Sequence, residues 1–463
     1  MTAIAAPVHR SDETGQDDKH TFWLSQIPEH WISAPLKQLI TSIEQGWSPQ
    51  CYERPSEPGE WGVLKVGCVN GNAFDANENK ALPPDLEPVS RLSIKRGDLL
   101  VSRANTRDLV GSAAMATQDH PQLLLCDKLF RIRFDETIYD PRYAVLILRS
   151  PIGRSSIEGA ATGTSSSMLN ISQATVRNLV VPVPPLHVQS GIVAYLDNAT
   201  QHLDELHNKQ MRMLDVIAEQ RRALISTAVT RGLDAGAALA PSGVPWIGDV
   251  PAHWTVIPLR KLATVRTGVT KGRDLKGVET LQVPYLRVAN VQDGYLNLDD
   301  VSMIEIAAPE LERFRLQPGD VLMNEGGDND KLGRGAVWSG QIDPCVHQNH
   351  VFSVRPHAVE PEWLALVNSS SYAKHYFQLN ANQSTNLASI ASSSLRSMPV
   401  VLPPPAERAA ILAHVARELT DLDRLAGKIR QQLTLAREYR AALITAAVTG
   451  QIDVRTAHQD APA

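Results

Sequence analysis

The chain has 463 residues, with 45 Lys and Arg against 50 Asp and Glu, 43% hydrophobic residues and four cysteines. A length of that order holds about three domains of ordinary size, which excludes a single small module. The net charge of −5 excludes a globally basic protein of the histone kind, so any nucleic-acid surface is a local patch. Cys51, Cys68, Cys126 and Cys345 form no C-x-x-C pair, and neither a disulfide framework nor a thiolate zinc site is indicated.

Residues 1–20 carry Asp12, Glu13, Asp17 and Asp18, lack an apolar core of signal-peptide length and read as a disordered tail. No apolar run of about 18 residues follows, so the expectation is a soluble, cytoplasmic protein without a membrane partner. From there the chain repeats itself. Ile27-Pro28-Glu29-His30-Trp31 with Pro35-Leu36-Lys37-Gln38-Leu39 returns 223 positions later as Val250-Pro251-Ala252-His253-Trp254 with Pro258-Leu259-Arg260-Lys261-Leu262. Gly97-Asp98-Leu99-Leu100 returns 222 positions later as Gly319-Asp320-Val321-Leu322, and Glu219 through Thr230 returns 219 positions later as Glu438 through Thr449. Matched blocks in one order with so little drift make the chain one module of about 220 residues written twice.

The repeat divides the chain into globules at 21–185 and 250–404, long helices at 186–231 and 405–450, a linker at 232–249 and a C-terminal tail at 451–463. Short β-branched runs predict strands at Gly62–Val69, Asp98–Arg103 and Leu123–Arg133, and again at Val283–Val291, Asp320–Asn324 and Val346–Arg355. Helices are expected near 141–149 and 361–368. Each globule closes on a proline cluster, Pro182-Val183-Pro184-Pro185 or Pro403-Pro404-Pro405, which ends a strand and pre-sets the first turn of a helix.

In the first long helix Leu196, Ala199, Leu203, Leu206, Gln210, Met213, Ile217, Gln220 and Leu224 alternate at spacings of three and four, the seam of a coiled coil. Val415, Leu422, Leu425, Ile429, Ala436, Tyr439 and Leu443 give the second helix the same register. Two matched stripes in one chain offer each other a partner, and a pseudo-two-fold axis across a helix pair makes the helices antiparallel. The expected fold is α+β: two tandem α/β globules held apart by two long helices packed as an antiparallel coiled coil.

No G-x-G-x-x-G follows a strand, and neither G-x-x-x-x-G-K-[ST] nor the Asn-Pro-Pro-aromatic motif of an amino-methyltransferase occurs, so no residue is assigned a catalytic role. His347 and His350, three apart in an expected strand, point to opposite faces, and Gly326 through Asp330 resembles a calcium loop in composition alone; no metal ligand is assigned. Asp98 and Asp320 read as turn aspartates leading into strands. What the sequence does offer is polar loops at matched places. Ser102, Arg103, Asn105 and Arg107 follow one strand, and Asn324, Lys331 and Arg334 stand in the equivalent stretch. Thr164 and Ser165 mark a second place, matched by Gln383 and Ser384. Lys65 and Arg287 occupy corresponding strand positions, as do Cys68 and Asn290. Arg bonds bidentately to guanine, Asn and Gln to adenine, and Ser and Lys serve phosphates. A repeated scaffold with altered loops suits a two-part reader of nucleic acid.

At these residues the sequence resembles the specificity subunit of a Type I restriction-modification enzyme. The likeness rests on Pro-x-His-Trp with Pro-Leu-Lys/Arg-x-Leu, Gly-Asp-Leu/Val-Leu, the Pro-Pro helix entry, and Arg-x-Ala-Leu-Ile-[ST]-x-Ala-Val-Thr at Arg221–Thr230 and Arg440–Thr449. The resemblance implies that each globule is a target-recognition domain for half of a bipartite, asymmetric site in double-stranded DNA. It implies that the paired helices set the spacer and dock modification subunits that methylate adenine, with restriction subunits adding translocation and cleavage. S-adenosylmethionine, ATP and Mg then belong to those partners and none to this chain. The near-neutral charge admits one alternative, a coiled-coil adaptor with two ligand-binding globules and no DNA.

Overall fold

A computed structural model describes residues 26–71, 73–165, 168–327, 332–384 and 387–454. Two compact units cut across the repeat: one takes the chain up to Lys209 together with Gln432 onward, the other Gln210–Gln431. The first long helix spans Leu186–Arg231 and the second Pro405–Val448, so each unit contains the start of one helix and the end of the other.

In the first unit an antiparallel sheet has the order Ile40–Gln45, Leu129–Phe134, Leu99–Ser102, Ala113–Met115. A second sheet orders Asn79–Ala81, Gly62–Leu64, His120–Leu124 and Ser93–Ile94, with one parallel pair between Gly62–Leu64 and His120–Leu124. A third pairs Thr162–Ser165, Met168–Asn170 and Ala104–Asn105. Helices Pro141–Arg149 and Pro151–Ala160 complete the globule. The strand Ile32–Pro35, which follows Trp31, pairs with Val180–Val183, which precedes the prolines, so the two ends of the globule are tied together where the long helix departs.

The second unit repeats this plan. Its sheet runs Ala263–Thr267, Val351–Pro356, Val321–Asn324, Gly335–Val337, and Thr255–Pro258 pairs with Pro399–Leu402. Ser302–Ala307, Thr280–Leu286 and Val346–His347 form a second sheet, and Gly326–Gly327, Leu387–Ile390 and Ala381–Ser384 a third. Helices Pro361–Asn368 and Ser371–Asn380 follow. Four expected elements are shorter than the sequence suggests. Leu123–Arg133 breaks at Asp127 into two strands of different sheets, Val346–Arg355 breaks likewise after His347, and the strands at 62–69 and 283–291 end in 3-10 turns at Val66–Val69 and Val288–Asn290. The linker holds a short ladder of Leu239–Pro241 on Asp249–Pro251, with Gly243 and Gly248 at positive φ in the turn between.

The motif at the end of each helix docks it into the globule that the other copy encodes. Leu443, Ala447 and Val448 lie in the core of the first unit, and Ile225, Ala228 and Val229 in that of the second. Tyr143 donates its hydroxyl to the carbonyl of Val448 at 3.0 Å. Past each helix end a glycine turns the chain with φ near +75°, Gly450 against Pro28 and Trp31 and Gly232 against Trp254. The Pro-x-His-Trp motif is thus the seat of the helix end, and left-handed backbone there favours glycine. Within the first unit Asp204 pairs with Arg440, and within the second Arg221 pairs with Asp423, so in each the helices run antiparallel. The two pairs are the same two repeat positions, 219 apart, with the helices exchanged.

Part of the expected seam is displaced by one residue. Leu196, Leu203, Gln210, Ile217 and Leu224, with Leu422, Ile429 and Leu443, are buried or half-buried. Leu206 and Met213, by contrast, are 44% and 48% exposed, and Leu425 and Tyr439 are 43% and 61% exposed. The half-buried positions are His207, Leu214 and Arg221 instead, and Ala426 is buried. Both choices satisfy alternating threes and fours, and hydrophobicity favours the wrong one. The rotation of each helix is set at its docked ends, by Ile192, Val193 and Leu196 at one and Ile225, Ala228 and Val229 at the other. The tail is also partly packed: Val454 is buried in the first core.

The two Gly-Asp aspartates do more than start a strand. Asp98 is buried and pairs with Arg131 and Arg133 at 3.2 Å each. Asp320 is buried on Arg355, at 2.7 and 2.8 Å, and accepts the amide of Gln317 at 2.9 Å. Burial works to raise the Asp320 carboxyl, but Arg355 and the Gln317 amide outweigh it and hold it below the usual carboxylate range. A carboxyl depressed on folding stabilises above its unfolded pKa, and that contribution is lost as pH falls through the folded value. Arg355→Ala therefore costs about 3 kcal/mol at pH 7, where a buried carboxylate loses its partner, and the deficit shrinks as pH falls, because the unpaired carboxyl of the variant takes up its proton before the paired one of the native protein; urea unfolding from pH 7 downward checks it. Gly450→Ala puts a carbon 2.7 Å from Pro28 at a φ of +73°. It is expected to cost about 1–3 kcal/mol, whereas Gly427→Ala, where the added carbon meets nothing within 4 Å, leaves the melting temperature level or higher.

Candidate nucleic-acid interface

In the first globule the chain leaves the sheet at Ser102, opposite Leu129, and turns through Arg103–Asp108. The Arg103 amide donates to the carbonyl of Lys128 at 2.7 Å, and the Arg103 carbonyl accepts from Ile171 at 2.9 Å. Ala104–Asn105 then pairs with Met168–Asn170. Asn105 donates to Asn70 at 3.2 Å, which brings in the 3-10 turn that Lys65 begins. Lys128 meets Asp127 at 2.9 Å, and Gln45 and Arg103 donate to the Asp127 carbonyl at 3.1 and 3.4 Å. Partial burial works to raise the Asp127 carboxyl, yet Ser48, Lys128 and Arg103 hold it below its ordinary range. Loops around 45–48, 65–71, 103–108 and 126–128 and the paired strands Thr162–Ser165 and Met168–Asn170 thus meet on one ridge. Arg107 is exposed on a loop whose carbonyl accepts from Arg154 at 3.1 Å.

The second globule builds the same ridge with other residues. The chain leaves the sheet at Asn324, opposite Val351, so Glu325 stands where Arg103 stands. The Glu325 amide donates to the carbonyl of His350 at 2.9 Å, and Ile390 donates to the Glu325 carbonyl at 2.9 Å, reproducing both bonds of Arg103. His350 occupies the Lys128 position and holds Glu325 Oε2 through Nδ1 at 2.8 Å, while Asn349 lies 3.3 Å from its Nε2. His350 is in a turn and not in a strand. His347, in the strand, is buried with Nδ1 2.7 Å from the Val351 carbonyl, and burial pushes it down to about 4.

Several sequence candidates lie elsewhere. Ser102 is fully buried and donates to the Leu109 carbonyl at 2.7 Å. Asn290 is buried and donates to the carbonyls of Asn297 and Asp300 at 2.9 Å, and buried Asn324 donates to those of Val291 and Val288 at 3.0 and 3.3 Å. These three hold loops from within and present nothing to a base. Lys65 and Arg287 precede 3-10 turns and pair with Glu78 at 3.8 Å and Asp300 at 2.8 Å. Arg334 reaches Gln292 at 3.4 Å. Thr164 and Ser165 lie on the strand Thr162–Ser165, and Gln383 and Ser384 on Ala381–Ser384, with side chains outside the described set; Lys331 is outside the described residues. The sequence reading missed Lys128, Glu325 and His350. The 222-residue offset was the signal that could have found them, since it maps Arg103 onto Glu325 and Lys128 onto His350.

No helix among the described residues is long and apolar enough to cross a membrane. No family model matches the chain. It is similar to the Type I restriction enzyme EcoEI specificity subunit of Escherichia coli, 28% identical over 195 residues that make up 42% of this chain and 32% of that protein. It is also similar to the EcoKI specificity subunit of Escherichia coli (strain K12), 20% identical over 92% of this chain and 90% of that one. Among solved structures, a chain reported under "Structural basis underlying complex assembly and conformational transition of the type I R-M system" matches over 92% of this chain and 99% of its own, with a TM-score of 0.64 at 16% identity.

Proposed function

We propose that this chain, a homologue of the Type I restriction specificity subunits, is the DNA-reading subunit of such a complex and not itself an enzyme. Each globule reads one half of a bipartite, asymmetric site in double-stranded DNA through its ridge. The paired helices set the spacer and dock the adenine methyltransferase subunits, to which restriction subunits add. S-adenosylmethionine, ATP and Mg act on those partners. The observation that carries the reading is the ridge itself: two backbone frameworks with the same register and the same hydrogen bonds present Arg103 and Lys128 in one globule and Glu325 and His350 in the other. Two unlike reading surfaces on one framework are what a bipartite, asymmetric site requires.

The test is a methylated-motif map of the complex with its methyltransferase subunits. Exchanging residues of about 40–180 for the same region of another specificity subunit changes one half of the motif and leaves the other intact; two unchanged halves reject the reading. The helices give a second expectation. One heptad inserted into each lengthens it by about 10 Å at 1.5 Å per residue, and a base pair rises about 3.4 Å. The gap in the methylated motif of an active variant therefore widens by up to about three base pairs, and an active variant with an unchanged gap shows that the helices do not measure it.

A further inference from the structure

Resting on the reading above, we propose that Glu325 and His350 form a base-selecting pair of the second globule, specific for a base edge that carries an exocyclic amino group, cytosine or adenine. Arg103 and Lys128 form its counterpart in the first globule, specific for guanine. The first step is positional. Each residue of one pair has the backbone contacts of its counterpart, so the two pairs face the same way from their own sheets. The second step is charge. Arg103, Lys128 and Asp127 carry one net positive charge, while the counterpart positions hold the Glu325 carboxylate, the His350 imidazole and the uncharged Asn349 amide.

A carboxylate is repelled by phosphate, so Glu325 is poorly suited to anchor a backbone that the first globule's cations could grip. It is suited to accept from an amino group. Cytosine N4 and adenine N6 donate in the major groove, whereas guanine presents O6 and N7, and thymine O4, all acceptors. His350 orients the carboxylate by holding Oε2 at 2.8 Å and does not engage Oε1. The contact between the Asn349 amide nitrogen and His350 Nε2, at 3.3 Å, suits an imidazole that carries its proton on Nδ1. Half-exposed His350, at 58%, and less exposed Glu325, at 27%, place the pair at the surface. Arg103 and Lys128 present donors alone, which match the two acceptors of guanine.

The experiment uses the full chain with its methyltransferase subunits on a randomised DNA library, reading the methylated motif. E325R/H350K is expected to move one position of one half-site from an amino-bearing base to guanine, and R103E/K128H to move one position of the other half-site in the opposite sense, each with a change in discrimination of about ten- to hundredfold. E325A removes the acceptor outright, so it relaxes that single position even if the double exchange fails to assemble. A motif unmoved by E325A, or uniformly weaker methylation with both half-sites intact, overturns the assignment and makes these residues backbone contacts or props. Failure of the broader reading looks different: the unaltered complex itself then methylates no bipartite motif.

Discussion

Val229 and Val448, each in the last turn of a long helix, are fully buried in the core of a globule that the opposite copy of the repeat encodes. Burying a Val or Ile side chain contributes about 1.5–3 kcal/mol, so Ile225 and Val229, with the methyl of Ala228, supply several kcal/mol to the second unit. That is a large part of the 5–15 kcal/mol by which a domain is usually stable. Neither copy closes its own core. The Trp31 and Trp254 seats, the glycines beyond each helix and the reciprocal ion pairs Asp204–Arg440 and Arg221–Asp423 follow from that exchange. The docked ends also decide which face of each helix turns inward, and therefore which residues the seam can use.

The architecture was legible because it was written twice. Recurrence located the globules, the proline exits and the helices, and their amphipathic spacing supplied the pairing. The helix phase was not legible, because Leu206 and His207 each complete a three-four alternation from Leu203 and the decision lies in long-range docking. The Gly-Asp motifs read as turns, yet Asp98 and Asp320 are buried charges whose partners stand 33 to 35 residues away. Asn290 and Asn324 looked like reading groups because amides suit adenine, but the same groups satisfy buried carbonyls, and sequence alone does not separate the two uses.

A difference between the two copies is not by itself a sign of recognition. Gln189 and Arg408 are equivalent, 219 positions apart and chemically unlike, and both are buried and donate to the carbonyl of a proline at the strand-to-helix junction, Pro184 at 2.8 Å and Pro403 at 2.7 Å. There two unlike side chains do one structural task. At Arg103 and Glu325 the amide and carbonyl bonds are the same in both globules whatever the side chain, so the shared framework does not depend on it. A position where the main chain is fixed, the side chain reaches the surface and the charge reverses between copies can vary without cost to the fold. That combination separates the ridge from the strand-to-helix junction, and it is why base-selecting residues are proposed where the scaffold is most alike.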